Sequence, residues 1–175
     1  IFMKSLRLLD LIITILFYSM LGIGIITFGV FTLYLFGIDL GTKTVTSFSN
    51  KNKFPLYLIL LSVFILYSSY VYSIYLFKQN IASFINLKLF TNQVIKNFRF
   101  MGVIYITSYL ISIIFKPIFE QSIEIEFGNS DNFHYFPLNG LIIGLFFLVL
   151  SKVFQIAKNQ KEENIELKQE NELTI

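Results

Sequence analysis

Cysteine is absent from the 175 residues, which excludes disulfides, thiolate metal sites and cysteine nucleophiles and leaves no thiol usage from which to read a redox compartment. A single histidine leaves little scope for imidazole-based metal or acid–base chemistry. Charge is scarce as well: Asp, Glu, Lys and Arg make up 14% of the chain, against about 25% in an ordinary soluble domain. The net charge of +3 is mild, and in a chain this apolar it bears on membrane orientation more than on a nucleic-acid partner. No G-x-G-x-x-G, P-loop, serine-nucleophile or zinc-protease pattern is present. Enzyme activity, a bound cofactor and direct nucleic-acid binding are therefore not expected.

What the chain does have is apolar length. Hydrophobic residues make up 55% and aromatics 18%. Leu11 to Ile38 is a run of 28 residues without Asp, Glu, Lys, Arg or His. About 20 helical residues, rising roughly 1.5 Å each, cross a hydrocarbon core of about 30 Å, so this run predicts a transmembrane helix. At roughly 42 Å it is longer than the core requires and is expected to tilt or protrude. Met3-Lys4-Ser5-Leu6 reads as a natural start, with Ile1 and Phe2 ahead of it. A cleaved signal peptide is not expected, because the apolar run far exceeds the h-region of such a peptide and no small-residue cleavage site follows.

The chain predicts an all-α membrane protein with four spans, at about 8–37, 54–77, 92–115 and 137–157. A polar loop with Gly37, Asp39, Gly41 and Lys43 closes the first span. The second, Phe54 to Phe77, is uncharged and carries Pro55 in its first turn, where proline is tolerated. Lys78 to Arg99 mixes Lys78, Lys88, Lys96 and Arg99 with apolar residues and reads as a basic amphipathic connector on an anionic leaflet. Thr91 is the predicted N-cap of the third helix, which Lys116-Pro117 is expected to end. The following loop, 117–136, carries Glu120, Glu124, Glu126 and Asp131 and alternates in a way that allows a short hairpin. The transmembrane domain is thus expected at 1–157 and a polar helical tail at 158–175. Ten Lys and Arg residues fall on the side holding both termini and four on the other. Both termini are therefore predicted to be cytoplasmic.

Helices in lipid associate through small residues. Gly22 and Gly29 in the first span mark one such surface, and Gly140 and Gly144 form a G-x-x-x-G in the fourth. Ser62, Ser69 and Ser73, and Ser108 with Ser112, mark the second and third. The expected architecture is a compact antiparallel four-helix bundle, with a homo-oligomer contact as the alternative use of G-x-x-x-G. No span core contains an ionisable side chain, which disfavours a pump or proton-coupled carrier. Hydroxyls such as Thr14, Ser19, Thr27, Ser68 and Thr107 are expected to bond their own helices. His134 with Glu120, Glu124, Glu126 and Asp131 lacks the paired spacing of a zinc motif, so no metal site is expected. In the tail, Lys161-Glu162-Glu163-Asn164 is echoed seven residues later by Lys168-Gln169-Glu170-Asn171, which places both copies on one helical face.

Three stretches carry a family resemblance. Phe90-Thr91-Asn92 leads to Phe98-Arg99 and Gly102, Val153-Phe154 is followed by Ala157, and the chain closes on Glu170-Asn171-Glu172-Leu173-Thr174-Ile175. Together these resemble the YoaS-like bacterial integral membrane proteins, an uncharacterised four-helix domain-of-unknown-function family. The closing residues match that family's terminal motif most specifically, with Gln169-Glu170 where the family has two glutamates. The resemblance implies no known activity. Members of such families are often encoded beside a small helix-turn-helix regulator, which implies a DNA-binding protein as a partner.

Two functions are then expected candidates. One is a non-enzymatic regulatory or signalling protein, set in the lipid bilayer, whose tail residues Glu170, Asn171, Glu172, Leu173, Thr174 and Ile175 dock a soluble partner. The other is an accessory subunit of a membrane transporter or channel complex.

Overall fold

The computed structural model describes residues 2–35, 54–122 and 136–173. They form four helices: α1 (Phe2–Leu35), α2 (Phe54–Ile85), α3 (Asn92–Ser122) and α4 (Phe136–Leu173). No strand occurs among the described residues. Each helix is long and apolar enough to cross a membrane, over Met3–Val30, Leu61–Ile85, Asn92–Phe115 and Asn139–Glu172. The helix is the natural form for such stretches, because in lipid every backbone donor and acceptor must be satisfied within the segment. Hydroxyl groups follow the same logic: Ser19, Thr27, Ser68 and Thr107 donate to the carbonyls of Leu16, Gly24, Phe64 and Val103 at 2.9, 3.0, 2.8 and 2.9 Å.

The four helices do not pack as one bundle. α2, α3 and α4 share a core, whereas α1 packs on α2 alone. The core is Leu76, Val94, Phe98 and Met101, walled by Phe77, Phe84, Ile104, Phe147, Leu150 and Phe154. Phe84 stacks on Phe154 at 5.8 Å between centroids and Phe77 meets Phe147 edge-on at 6.3 Å, so rings bring α2 and α4 together over α3. Among the described side chains of α1 only Ile13 is a buried large apolar residue, and most of the others from Leu8 to Leu33 are exposed. The physical reason is specific contact: α1 meets α2 through Tyr67, whose hydroxyl donates to the Met20 carbonyl, and through Phe28 on Phe64 at 5.3 Å.

Several helix limits depart from the expected ones. α2 does not stop at Phe77 but continues to Ile85, because Lys78 keeps its charge over the rings of Phe17 (5.9 Å) and Tyr18 (5.3 Å). The basic connector is therefore only residues 86–91, and most of the presumed amphipathic stretch is packed helix. α3 ends its membrane-crossing part at Phe115 as expected, yet the helix runs on through Lys116-Pro117 to Ser122. Proline removes one backbone donor, a loss that membrane-crossing helices tolerate. α4 has no break at 157/158, and the polar tail is its direct continuation. Residues 117–122 of the expected loop 117–136 are helical, while the rest of the loop with its possible hairpin and with Glu124, Glu126, Asp131 and His134 lies outside the described residues, as do the first loop, Thr174 and Ile175.

Candidate functional site

Apart from Lys116 and Glu120 near the C-terminal end of α3, the charged residues described lie toward one end of the molecule: Lys4, Arg7 and Asp10 on α1, Lys78 on α2, Lys88 in the connector, Lys96 and Arg99 on α3, and Lys152 onward on α4. Contacts bring these segments together. Phe17 meets Tyr75 at 5.9 Å, Phe90 meets Phe154 at 5.7 Å, and Lys158 Nζ donates to Asn92 Oδ1 at 2.9 Å. The turn that builds this end is well defined. α2 closes with Lys88 N–H on the Ser83 carbonyl (2.9 Å) and Leu87 N–H on the Phe84 carbonyl (3.1 Å), the paired bonds of a Schellman motif. That motif needs a left-handed residue, and Leu87 supplies it at φ 57°. Four residues later Thr91 caps α3 as predicted, its Oγ1 accepting from Val94 N–H at 3.4 Å.

Just inside this end lies a polar seam between α2 and α3. Asn97 Nδ2 donates to Asn80 Oδ1 at 2.9 Å and to Gln79 Oε1 at 3.2 Å. Asn80 is fully buried, and its Nδ2 has no partner. Ser73, two turns earlier on the same face, is likewise buried with an unpartnered hydroxyl. Two residues before Asn97 on α3, a polar contact reaches α4, where Ser151 Oγ donates to the Ile95 carbonyl at 2.9 Å. Amide pairs between helices in a low-dielectric interior contribute about 0.6–2 kcal/mol and admit one rotation of each helix, which makes the seam a register lock. Sequence reasoning missed Asn80 because it assigned that residue to a surface connector, and did not single out Asn97 within the predicted third span. The available signal was that Asn80 sits four residues from Leu76 and from Phe84, on an apolar stripe.

The glycines divide sharply. A Cβ on Gly102 would lie 2.8 Å from the Gly144 carbonyl oxygen and one on Gly144 would lie 2.9 Å from the Gly102 oxygen, so α3 and α4 meet backbone to backbone. Gly140 lies one turn away in ordinary contact, 3.7 Å from the Tyr105 carbonyl. Gly22 and Gly29, expected to mark an approach surface, have no atom within 4 Å of the position of a Cβ. The close approach on α1 is at Gly24, against Tyr67. Two residues turn the helix by about 200°, so Gly24 faces away from the Gly22–Gly29 side.

Beyond Lys158 the character of α4 changes. Lys158 Nζ, 3.3 Å from Glu162, is the last side chain tied to α3, and every residue from Asn159 to Glu172 is exposed. The two heptad copies stand on this projecting stretch, where Asn164 Nδ2 bonds the Gln160 carbonyl at 2.8 Å. Glu170, Asn171, Glu172 and Leu173 form its last turn. Among the described residues no group of three or more His, Cys, Asp or Glu side chains stands close enough to hold a metal ion.

No match to the chain was found among curated proteins or among solved structures. A family model covers residues 42–175, which takes in α2, α3, α4 and the closing Glu170–Ile175 motif and leaves α1 outside. Three packed helices, their connector and the projecting tail are thus the family's shared part, and the chain belongs to the family described as "Protein of unknown function (DUF2975)".

Proposed function

We propose that this is a non-enzymatic regulatory or signalling protein of the bacterial inner membrane whose C-terminal helix docks a soluble cytoplasmic partner, a helix-turn-helix DNA-binding regulator being the candidate. In this reading the helices are antiparallel and both termini are cytoplasmic. Ten basic residues on that side, against four on the other, support the orientation.

One observation carries the reading. α4 leaves the packed core as an unbroken helix and projects from Asn159 to Glu172 with every residue exposed, a length of roughly 21 Å at about 1.5 Å per residue. Ile165 and Leu167 stand 47% and 57% exposed between the two polar copies, about 200° apart around the helix. Apolar side chains held among charges on an exposed helix supply contacts for a partner to bury.

The test is recovery of soluble proteins with the full-length protein and with residues 159–175 deleted, both in native membranes crosslinked before solubilisation. A soluble DNA-binding protein recovered with the full chain and lost on deletion supports docking. Unchanged recovery refutes it.

The uncovered face of α1 at Gly22 and Gly29 favours a second reading, an accessory subunit packed against a larger integral protein or a second copy. Purification in mild detergent discriminates, since that role requires an integral partner and not a soluble one.

A further inference from the structure

Between the first two turns of α3 and the facing stretch of α4 lies an open groove of about 350 Å³, lined by Asn92, Ile95, Lys96, Arg99, Phe100 and Gln155. We propose that it is a binding site for an anionic phospholipid, with the phosphate held by Lys96 and Arg99 and the start of an acyl chain against Ile95 and Phe100.

The α3 wall follows from helical spacing. Asn92, Lys96 and Arg99 stand at i, i+4 and i+7 and share one face. Among the described residues neither cation has an acidic partner: Lys96 lies over the Phe100 ring at 5.7 Å, and Arg99 is exposed. The α4 wall is stitched to α3 on both sides of the groove residue Gln155. Ser151 bonds the Ile95 carbonyl at 2.9 Å, four residues before it, and Lys158 bonds Asn92 Oδ1 at 2.9 Å, three residues after it. Lysine can only donate, so this bond fixes the Asn92 amide with its oxygen toward Lys158 and its Nδ2 turned the other way. Gln155 is half-buried, and its side chain has no hydrogen-bond partner among the described residues. The groove thus offers two cations and two amide donors, and no carboxylate lines it.

Depth selects a lipid over a soluble phosphate. Arg99 is the last charge before the uncharged stretch Phe100–Phe115, so in the membrane it stands at headgroup level. Ile95 and Phe100 add an apolar wall that a free anion does not use and an amphiphile does. Basic recesses between membrane helices on the side rich in Lys and Arg are recognised lipid-headgroup sites, and here the cations are preorganised on one helix face.

The test is native mass spectrometry of the full-length protein in detergent, titrated with phosphatidylglycerol or phosphatidylcholine, for wild type, K96Q/R99Q, K96R/R99K and the distant control K161Q/K168Q. A saturable first phosphatidylglycerol is expected in wild type, in the charge-preserving variant and in the control. K96Q/R99Q should bind it roughly tenfold or more weakly, with helicity by circular dichroism unchanged. Equal loss in K161Q/K168Q would mean that only net charge attracts the lipid and would overturn the site. So would equal affinity for phosphatidylcholine, or displacement of the lipid by millimolar inorganic phosphate, which would mark a site for a soluble phosphate. If K96Q/R99Q loses helicity, K96R/R99K decides: failure to bind with helicity intact also overturns the proposal.

Discussion

Replacing Gly144 by alanine adds one methyl group at the tightest crossing in the molecule. Its Cβ would lie 2.7 Å from Ile106 Cγ1, 2.9 Å from the Gly102 carbonyl oxygen and 3.1 Å from the Ile106 backbone nitrogen. The side-chain carbon can swing aside, but the two backbone atoms belong to α3 and yield only if the helices separate. The reciprocal change, Gly102→Ala, meets Leu148 Cγ at 2.7 Å and the Gly144 oxygen at 2.8 Å. Forcing a methyl into such a contact costs about 1–3 kcal/mol. Alanine returns roughly 0.8–1 kcal/mol of helix propensity, so the net loss reaches about 2 kcal/mol at either site. Gly140→Ala provides the internal reference: its nearest neighbours are 3.7 Å away, so only the propensity gain applies and the variant should be neutral to slightly more stable. Gly22→Ala and Gly29→Ala, with nothing within 4 Å, should behave the same way. The assay is unfolding in mixed micelles of a mild detergent and increasing sodium dodecyl sulfate, followed by circular dichroism. G102A and G144A should unfold earlier than G140A. If all three coincide, the backbone-to-backbone crossing of α3 and α4 is refuted.

The same assay reads two further changes. Asn97→Leu strips the donors from Asn80 Oδ1 and Gln79 Oε1 and should cost about 1–3 kcal/mol, whereas a surface change such as K161Q should cost almost nothing. Leu87→Gly relaxes an exposed side chain at φ 57° and should stabilise the turn by about 0.5–1 kcal/mol; a loss of stability would mean that the leucine has a contact outside the chain.

That four helices are long and apolar enough to cross a membrane was legible in the sequence because the requirement is local, although their limits were not. A helix in lipid satisfies its own backbone, so an uncharged run such as Leu11–Ile38 declares itself without reference to any other residue. The Thr91 cap was legible for the same reason, since its partner is three residues away. The heptad echo in the tail was legible too, and so was the exposure from Asn159 to Glu172, because a stretch this polar has no apolar face to bury.

Tertiary structure decided everything that depends on how one helix is rotated against another. A list of small residues gives Gly22, Gly29, Gly140 and Gly144 equal standing, while the structure puts the contact at Gly102 with Gly144 and leaves Gly22 and Gly29 open. It buries Asn80 and Asn97 against each other, where the sequence shows only polar residues among lysines. It also sets α1 apart from α3 and α4. Hydropathy along a chain measures transfer into lipid, a sum over single residues, whereas packing is a property of pairs and exists only once the helices have met.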